Sequence, residues 1–202
     1  SYLNIMQNVA LKKGMPVAFF SLEMTADELA YRTISCMSSV NGSAIRQQKL
    51  SDDEWNRFLS AVEQYKQSGI IIDETPAITI STLHERAKRM HRQFGIRMIV
   101  VDYLQLMRST ARHVQDRQQE VADISRGLKE LAKELHLPVI AMAQINRDVE
   151  NRTNKRPCLA DLRESGAIEQ DADKVMFIYR DDYYNQSCKQ TNEAEIIIAK
   201  QR

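Results

Sequence analysis

Net charge is almost absent from this 202-residue chain, which sets 28 Lys and Arg against 27 Asp and Glu. Any affinity for nucleic acid must therefore come from local basic clusters, because there is no bulk positive field. Cysteine is also scarce: Cys36, Cys158 and Cys188 stand far apart, with no CxxC pair and no nearby His array. Such spacing argues against a disulfide framework and a zinc site and fits a reducing cytosol. No apolar run reaches membrane-spanning length, and Ser1 to Ala10 lacks the basic region, apolar core and cleavage site of a signal peptide. A cytoplasmic chain with no membrane partner is expected. Histidine is rare too; His84, His91, His113 and His136 have no acid at catalytic spacing and read as surface residues, and no serine or cysteine nucleophile is suggested. What remains is ordinary globular material, 43% hydrophobic and without repeats, enough for one domain.

Short apolar runs alternate with helical periodicities, the pattern of parallel strands joined by crossover helices. Strands are predicted over Pro16 to Phe20, Gly69 to Ile72, Arg97 to Val101, Pro138 to Ala143 and Lys174 to Tyr179, with Ala194 to Ala199 as a sixth. Each is nearly continuous in apolar residues, as expected where helices cover both faces of a sheet. Thr25 with Glu28, and Ser51 with Glu54, match the capping box that starts a helix. Val121, Ile124, Leu128, Leu131 and Leu135 form one apolar helical stripe. Leu83 to Phe94 turns Leu83, Ala87, Met90 and Phe94 inward and leaves Arg86, Lys88, Arg89 and Arg92 outside, before Gly95 ends it. Leu3, Ile5, Met6, Val9 and Ala10 suggest a buried helix already under way at residue 1, and Glu195 to Ala199 reads as a strand near the last residue, so both ends are expected to be cut.

In open parallel sheets, ligands bind beyond the carboxyl ends of the strands. Three apolar runs lead there into polar residues: Phe19 and Phe20 into Ser21, Leu22 and Glu23; Met98 to Val101 into Asp102; Ile140 to Ala143 into Gln144. Two carboxylates and an amide at neighbouring strand ends can activate water, hold Mg2+ and sense a phosphate, which are the parts phosphoryl transfer needs. Singly each is weak, since an acid after an apolar run is commonly a cap or a solvated strand end, and Ile70 to Ile72 before Asp73 offers the same pattern. Basic residues cluster after two of these positions. Arg108, Arg112 and Arg117 follow Asp102, while Arg147, Arg152, Lys155, Arg156 and Arg163 follow Gln144 in a segment with no aromatic residue. Cations without stacking platforms suit a protein that tracks phosphates and ignores sequence, although a solvated charged loop reads the same way.

The strings Ser21-Leu22-Glu23-Met24, Val101-Asp102-Tyr103-Leu104-Gln105-Leu106-Met107, Asp161-Leu162-Arg163-Glu164-Ser165-Gly166, Ile168-Glu169-Gln170-Asp171-Ala172-Asp173 and Lys200-Gln201-Arg202 closely resemble the bacterial replicative helicases of the DnaB family. They stand in that family's order and cover essentially the whole chain. The resemblance implies a RecA-like P-loop NTPase fold of the α/β class, with a mostly parallel central sheet flanked by helices, and ATP and Mg2+ as cofactors. It implies that Glu23 polarises the attacking water, that Asp102 is the Walker B carboxylate acting on Mg2+, directly or through water, and that Gln144 reports the γ-phosphate to the DNA-binding loops. Lys200 and Arg202 match a basic pair presented to the phosphate of a neighbouring subunit, the logic of an arginine finger. Arg32 matches a further arginine near the nucleotide. Arg163, Glu164 and Gly166 match the loop that touches the single-strand backbone, partly through main-chain NH groups, which would account for a glycine. The implied partners are single-stranded DNA, identical subunits in a homohexamer, primase and a helicase loader; the implied motion is 5′ to 3′.

One departure stands out. The pattern GxxxxGK(S/T) is absent, and the first glycine, Gly14, reads as a helix C-cap. That loop would cradle the phosphates, so residues 1–202 alone are expected to bind ATP poorly and hydrolyse none, as a partial motor domain without the loop or the family's N-terminal collar and primase-binding domain. Ala199 stands where related sequences often have glycine. Two alternatives share the fold: a RecA-type repair or recombination ATPase, which should lack the Asp161 to Gly166 run, and a nucleotide-free binding or assembly module.

Overall fold

The computed structural model describes residues 2–109, 117–184 and 193–202, and of Tyr2 and 163–165 the backbone alone. Arg112, His113 and Cys188 lie outside the described residues, as do the side chains of Arg163 and Glu164. In chain order the elements begin with α1 (Tyr2–Gln7), which runs into a wide turn, Asn8–Lys12, then β1 (Val17–Ser21), α2 (Ala26–Ser38), α3 (Gly42–Arg46) and α4 (Asp52–Lys66). They continue with β2 (Ile70–Asp73), α5 (Ile80–Phe94), β3 (Met98–Asp102), α6 (Arg117–Leu135) and β4 (Val139–Ala141). Last come α7 (Gly166–Asp171), β5 (Lys174–Tyr179), α8 (Asp181–Tyr184) and β6 (Glu195–Gln201).

The runs richest in apolar residues take the centre of the sheet. Four strands lie side by side in the order β2-β1-β3-β4, and every pairing is parallel. Because successive residues of a strand face opposite ways, Ala18, Phe20, Ile99 and Val101 point to one layer and Val17, Phe19, Met98 and Val100 to the other. The first layer packs on α5 and α6 through Leu83, Ala87, Met90, Val121, Ile124, Leu128 and Leu131, the second on Met6, Ala10 and Leu29. Phe19 and Phe20 are fully buried, which stabilises the fold by about 2–3 kcal/mol each. Both capping boxes are formed: the Thr25 hydroxyl accepts from the Glu28 N–H at 3.3 Å while Glu28 accepts from the Thr25 N–H at 3.2 Å, and Ser51 with Glu54 repeats the arrangement. Gly14 adopts a left-handed φ of 61° just past the first helical segment, as a C-terminal glycine should.

Several expectations need correction. β5 and β6 do not extend the parallel sheet; among the described residues they form a separate antiparallel pair. Burial there alternates: Val175, Phe177 and Tyr179 face inward, the first two in a small core with Leu162, while Met176, Ile178, Ile196 and Ile198 are more than half exposed. A nearly continuous apolar run therefore does not mean two covered faces here. Phe94 and Ile5 are exposed, at 48% and 39%, and not inward. Phe94 is the last residue of α5, before Gly95 turns the chain. Arg86 is not an outside residue, and His84 and His91 are half-buried: His84 Nε2 lies 2.7 Å from the Gly127 carbonyl and His91 Nδ1 lies 3.1 Å from that of Ile96. These are structural contacts that tie α5 to its neighbours. No helix of the described residues is long and apolar enough to cross a membrane.

Candidate functional site: three strand ends on one sheet edge

Glu23 and Gln144 lie just past β1 and β4, Asp102 closes β3, and these strands are neighbours in the sheet, so the fold brings the three to one edge. Adjacent strands are about 4.8 Å apart, the scale on which a phosphate group and its water are handled. Ser21 pairs in register with Asp102, and the Leu22 N–H donates to the Asp102 carbonyl at 2.9 Å, which carries the β1–β3 alignment one residue past the strand. The chain then bends sharply: Ser21 Oγ donates to the Met24 carbonyl at 2.6 Å, and Thr25 caps α2. Exposed Glu23 is therefore held in a short bend between a buried strand and a capped helix. Glu74, just beyond β2, accepts from the Ala26 N–H at 2.6 Å and adds a second anchor.

Asp102 closes β3 and is half-buried; the peptide that follows it is cis. Beyond it, the Leu104 N–H donates to the Met142 carbonyl and the Met142 N–H to the Val101 carbonyl, each at 2.9 Å, so the chain between β4 and Gln144 stays attached to β3. Gln144 itself is exposed. A cleft of about 260 Å³ opens beside it, lined by Gln105, Arg117, Gln144, Asn146, Arg147 and Asp161 among others. Among the described residues, no three His, Cys, Asp or Glu side chains are grouped as metal ligands. One carboxylate at a strand end fits Mg2+, which keeps most of its water and takes further ligands from phosphates, better than it fits a cation needing an all-protein cage.

Asp73, the rival acid, is spent elsewhere. It is 9% exposed, and Arg86 Nη1 donates to both of its oxygens, at 2.9 and 2.7 Å, while the Thr75 N–H adds a third bond at 3.0 Å. Burial opposes its ionisation, but the hydrogen bonds from Arg86 and Thr75 outweigh that and hold its carboxyl below the ordinary aspartate value.

The other expected residues lie on other elements. Arg32 lies about two turns into α2 with its side chain exposed. Lys200 and Arg202 lie at the end of β6 in the separate sheet. Lys200 Nζ donates to the carbonyls of Glu169 and Gln170 near the end of α7, where a cation suits the helix dipole, and Arg202 is exposed with its N–H on the Asp173 carbonyl at 2.9 Å. Arg163 and Glu164 fall in the helical turn Leu159–Ser165, immediately before Gly166 opens α7. Gly166 has an ordinary helical φ of −53°, and a Cβ there would meet nothing within 4 Å, so the backbone itself does not demand glycine.

The basic segment after Gln144 also differs from expectation. Tyr179 of β5 and Tyr184 of α8 stack at 5.7 Å, Arg156 lies 5.0 Å over the first ring and Lys155 5.3 Å over the second. Aromatic partners absent from the local sequence are supplied by the fold. Arg152 and Arg156 are further tied to Asp161 at 2.7 Å and Glu195 at 2.5 Å. Asp161 is itself desolvated, yet the Cys158 N–H and Arg152 keep its carboxyl below the usual range. Sequence reading gives no role to Gln105, although its side chain touches Gln144; a glutamine in a loop carries no signal of its own.

Comparison with known proteins fits this geometry. The chain is 49% identical over 200 residues to the replicative DNA helicase DnaB of Geobacillus stearothermophilus and 47% identical over 203 residues to that of Haemophilus influenzae, in each case over 99% of this chain. It spans 44% and 43% of the length of those two relatives. A solved structure described as an ATPase domain superposes with a TM-score of 0.92 at 35% identity, covering 100% of this chain and 72% of the other. A DnaB-like replicative helicase, solved in a study of its interactions with primase, also gives 0.92, at 34% identity over 99% of this chain and 49% of the other. The RecA-like fold expected from the sequence is therefore the one adopted, and the repair or recombination reading is set aside. Residues 1–202 match the DnaB-like helicase C terminal domain throughout, and the chain belongs to that family.

Proposed function

We propose that this chain is the motor part of a replicative DNA helicase, a homohexameric ring in which ATP hydrolysis at subunit interfaces drives 5′ to 3′ travel on single-stranded DNA and opens the duplex. The observation that carries this reading is the placement of Glu23, Asp102 and Gln144 at the ends of three adjacent parallel strands. Glu23, fixed in its bend, would polarise and aim the attacking water; Asp102 would hold Mg2+ through its carboxylate, directly or through water; Gln144 would hydrogen-bond the γ-phosphate with its exposed amide. Mg2+, when bound, neutralises charge on the phosphate oxygens. Arg202, exposed at the end of β6, reaches the nucleotide of the next subunit with Lys200 beside it, and Arg32 supports the nucleotide from α2.

Arg163, Glu164 and Gly166 would contact the DNA backbone, with Arg147 and Lys155 supplying sequence-independent attraction. Primase and a loader are the proposed protein partners, and the cytoplasm the proposed place of action. In the complete protein, Glu23→Gln is expected to lower ATP hydrolysis about 10²–10⁴-fold while a fluorescent ATP analogue binds as before. Undiminished hydrolysis would remove Glu23 from the chemistry.

A further inference from the structure

Gln105 sits in the single helical turn Leu104–Leu106 that follows β3, a turn anchored by buried Leu104, whose N–H is bound to the Met142 carbonyl. Its carboxamide makes two bonds to one residue. Oε1 accepts from the Gln144 N–H at 3.1 Å, and Nε2 donates to the Gln144 carbonyl at 3.0 Å. Only this orientation of the amide satisfies both partners. The pair reproduces the two-bond contact of a β-bridge at a point where β4 has already ended at Ala141, so a side chain continues the sheet pattern to Gln144, three residues past its strand.

The contact extends beyond Gln144. The Gln105 carbonyl accepts from Arg117 Nη2 at the start of α6, Arg117 Nη1 pairs with Glu120, and Glu120 Oε1 accepts from the Ser109 N–H at 3.0 Å. The Ser109 N–H and Arg117 hold the Glu120 carboxyl below its ordinary value, so this link is ionised at neutral pH. Gln144, Gln105 and Arg117 line one cleft together with Arg147. A shift of the Gln144 main chain cannot occur without moving Gln105 or breaking both of its bonds.

We infer that Gln105 is a positioning residue: its carboxamide sets the main chain of Gln144 and, through Arg117 and Glu120, links the state of Gln144 to the start of α6 and to the arginines of the adjoining cleft. The inference rests on the proposed role of Gln144 at the γ-phosphate. Both bonds are directed at the Gln144 backbone, so Gln105 acts on where the Gln144 amide is held. A route of this kind is established by energetic coupling and not by proximity, which fixes the form of the test.

The complete protein is assayed for ATP hydrolysis with and without oligo(dT), as Gln105→Ala, Gln144→Ala, the double variant and Gln105→Glu. Gln105→Ala is expected to lower the DNA-stimulated kcat about tenfold, the scale of one to two lost hydrogen bonds, while KM for ATP shifts by less than about twofold. The double variant should be no worse than Gln144→Ala alone. Gln105→Glu keeps the acceptor and loses the donor, so its stimulation should recover as pH falls and the carboxyl gains a proton, while the kcat-against-KM split separates positioning of Gln144 from a general loss of structure. Normal stimulation in Gln105→Ala, additive losses in the double variant, or a flat pH response in Gln105→Glu overturns the inference while leaving Gln144 in place. Normal stimulation in Gln144→Ala overturns the γ-phosphate reading itself.

Discussion

A methyl group placed on Gly127 tests how tightly α6 is seated on α5. Gly127 is buried in the middle of α6, and a Cβ there would overlap Cγ1 of Ile80, the first residue of α5, and lie 3.0 Å from its Cδ1. Two effects oppose each other in Gly127→Ala. Replacing glycine by alanine in a helix interior stabilises by about 1 kcal/mol. Forcing a methyl into a filled site costs about 1–3 kcal/mol, because Ile80 is β-branched and cannot rotate away freely. Ile80 is partly buried against the core, and the Gly127 carbonyl is also bound to His84, so the helices cannot simply separate. The net expectation is a loss of about 0–2 kcal/mol. With Ile80→Ala present, the nearest Ile80 atom left to the new methyl is Cβ at 3.7 Å, an ordinary contact. Gly127→Ala should then stabilise by about 1 kcal/mol, because the helix gain is no longer opposed. Urea unfolding of the four proteins gives the cycle, with m-values checked for constancy. A Gly127→Ala effect of the same sign in both backgrounds, or a coupling below about 0.5 kcal/mol, would show that Ile80 does not limit the space at Gly127.

The Asp73–Arg86 pair supports two further predictions. Asp73→Ala leaves the Arg86 guanidinium without its carboxylate and should cost about 2–3 kcal/mol in urea unfolding, less than a fully buried pair because Arg86 is one-third exposed. Since the folded-state pKa of Asp73 is depressed, the unfolded chain binds the extra proton first; the stabilisation is complete above the unfolded value of about 3.9 and is lost as pH falls through the lower folded value, so Asp73→Asn should flatten the stability curve below about pH 4.

What could be read from the sequence was set by local chemistry. The β1 and β3 runs are apolar on both faces because both faces are covered, and the capping residues Thr25 and Ser51 act within three positions of themselves, so each was legible. Placement of Glu23, Asp102 and Gln144 on one edge followed from the parallel-strand reading plus strand adjacency. The roles assigned to them came from the family resemblance, since an acid after an apolar run does not by itself distinguish Asp102 from Asp73; only the contact with Arg86 does. Other features depend on distant partners. The tyrosines beneath Lys155 and Arg156 lie on β5 and α8, and the Gln105–Gln144 contact joins residues 39 apart. The exposed face of β5 and β6 has an apolar pattern that a covered strand would share.

In the proposed mechanism Glu23 acts on one side of a subunit interface and Arg202 on the other. The most direct measurement is DNA-stimulated ATP hydrolysis in rings mixed from Glu23→Gln and Arg202→Ala forms of the complete protein. Each form alone should be inactive, and mixing should restore hydrolysis at those interfaces where an intact Glu23 meets an intact Arg202. Mixed rings that exchange subunits yet stay as inactive as either parent would rule out a site shared between Glu23 and Arg202.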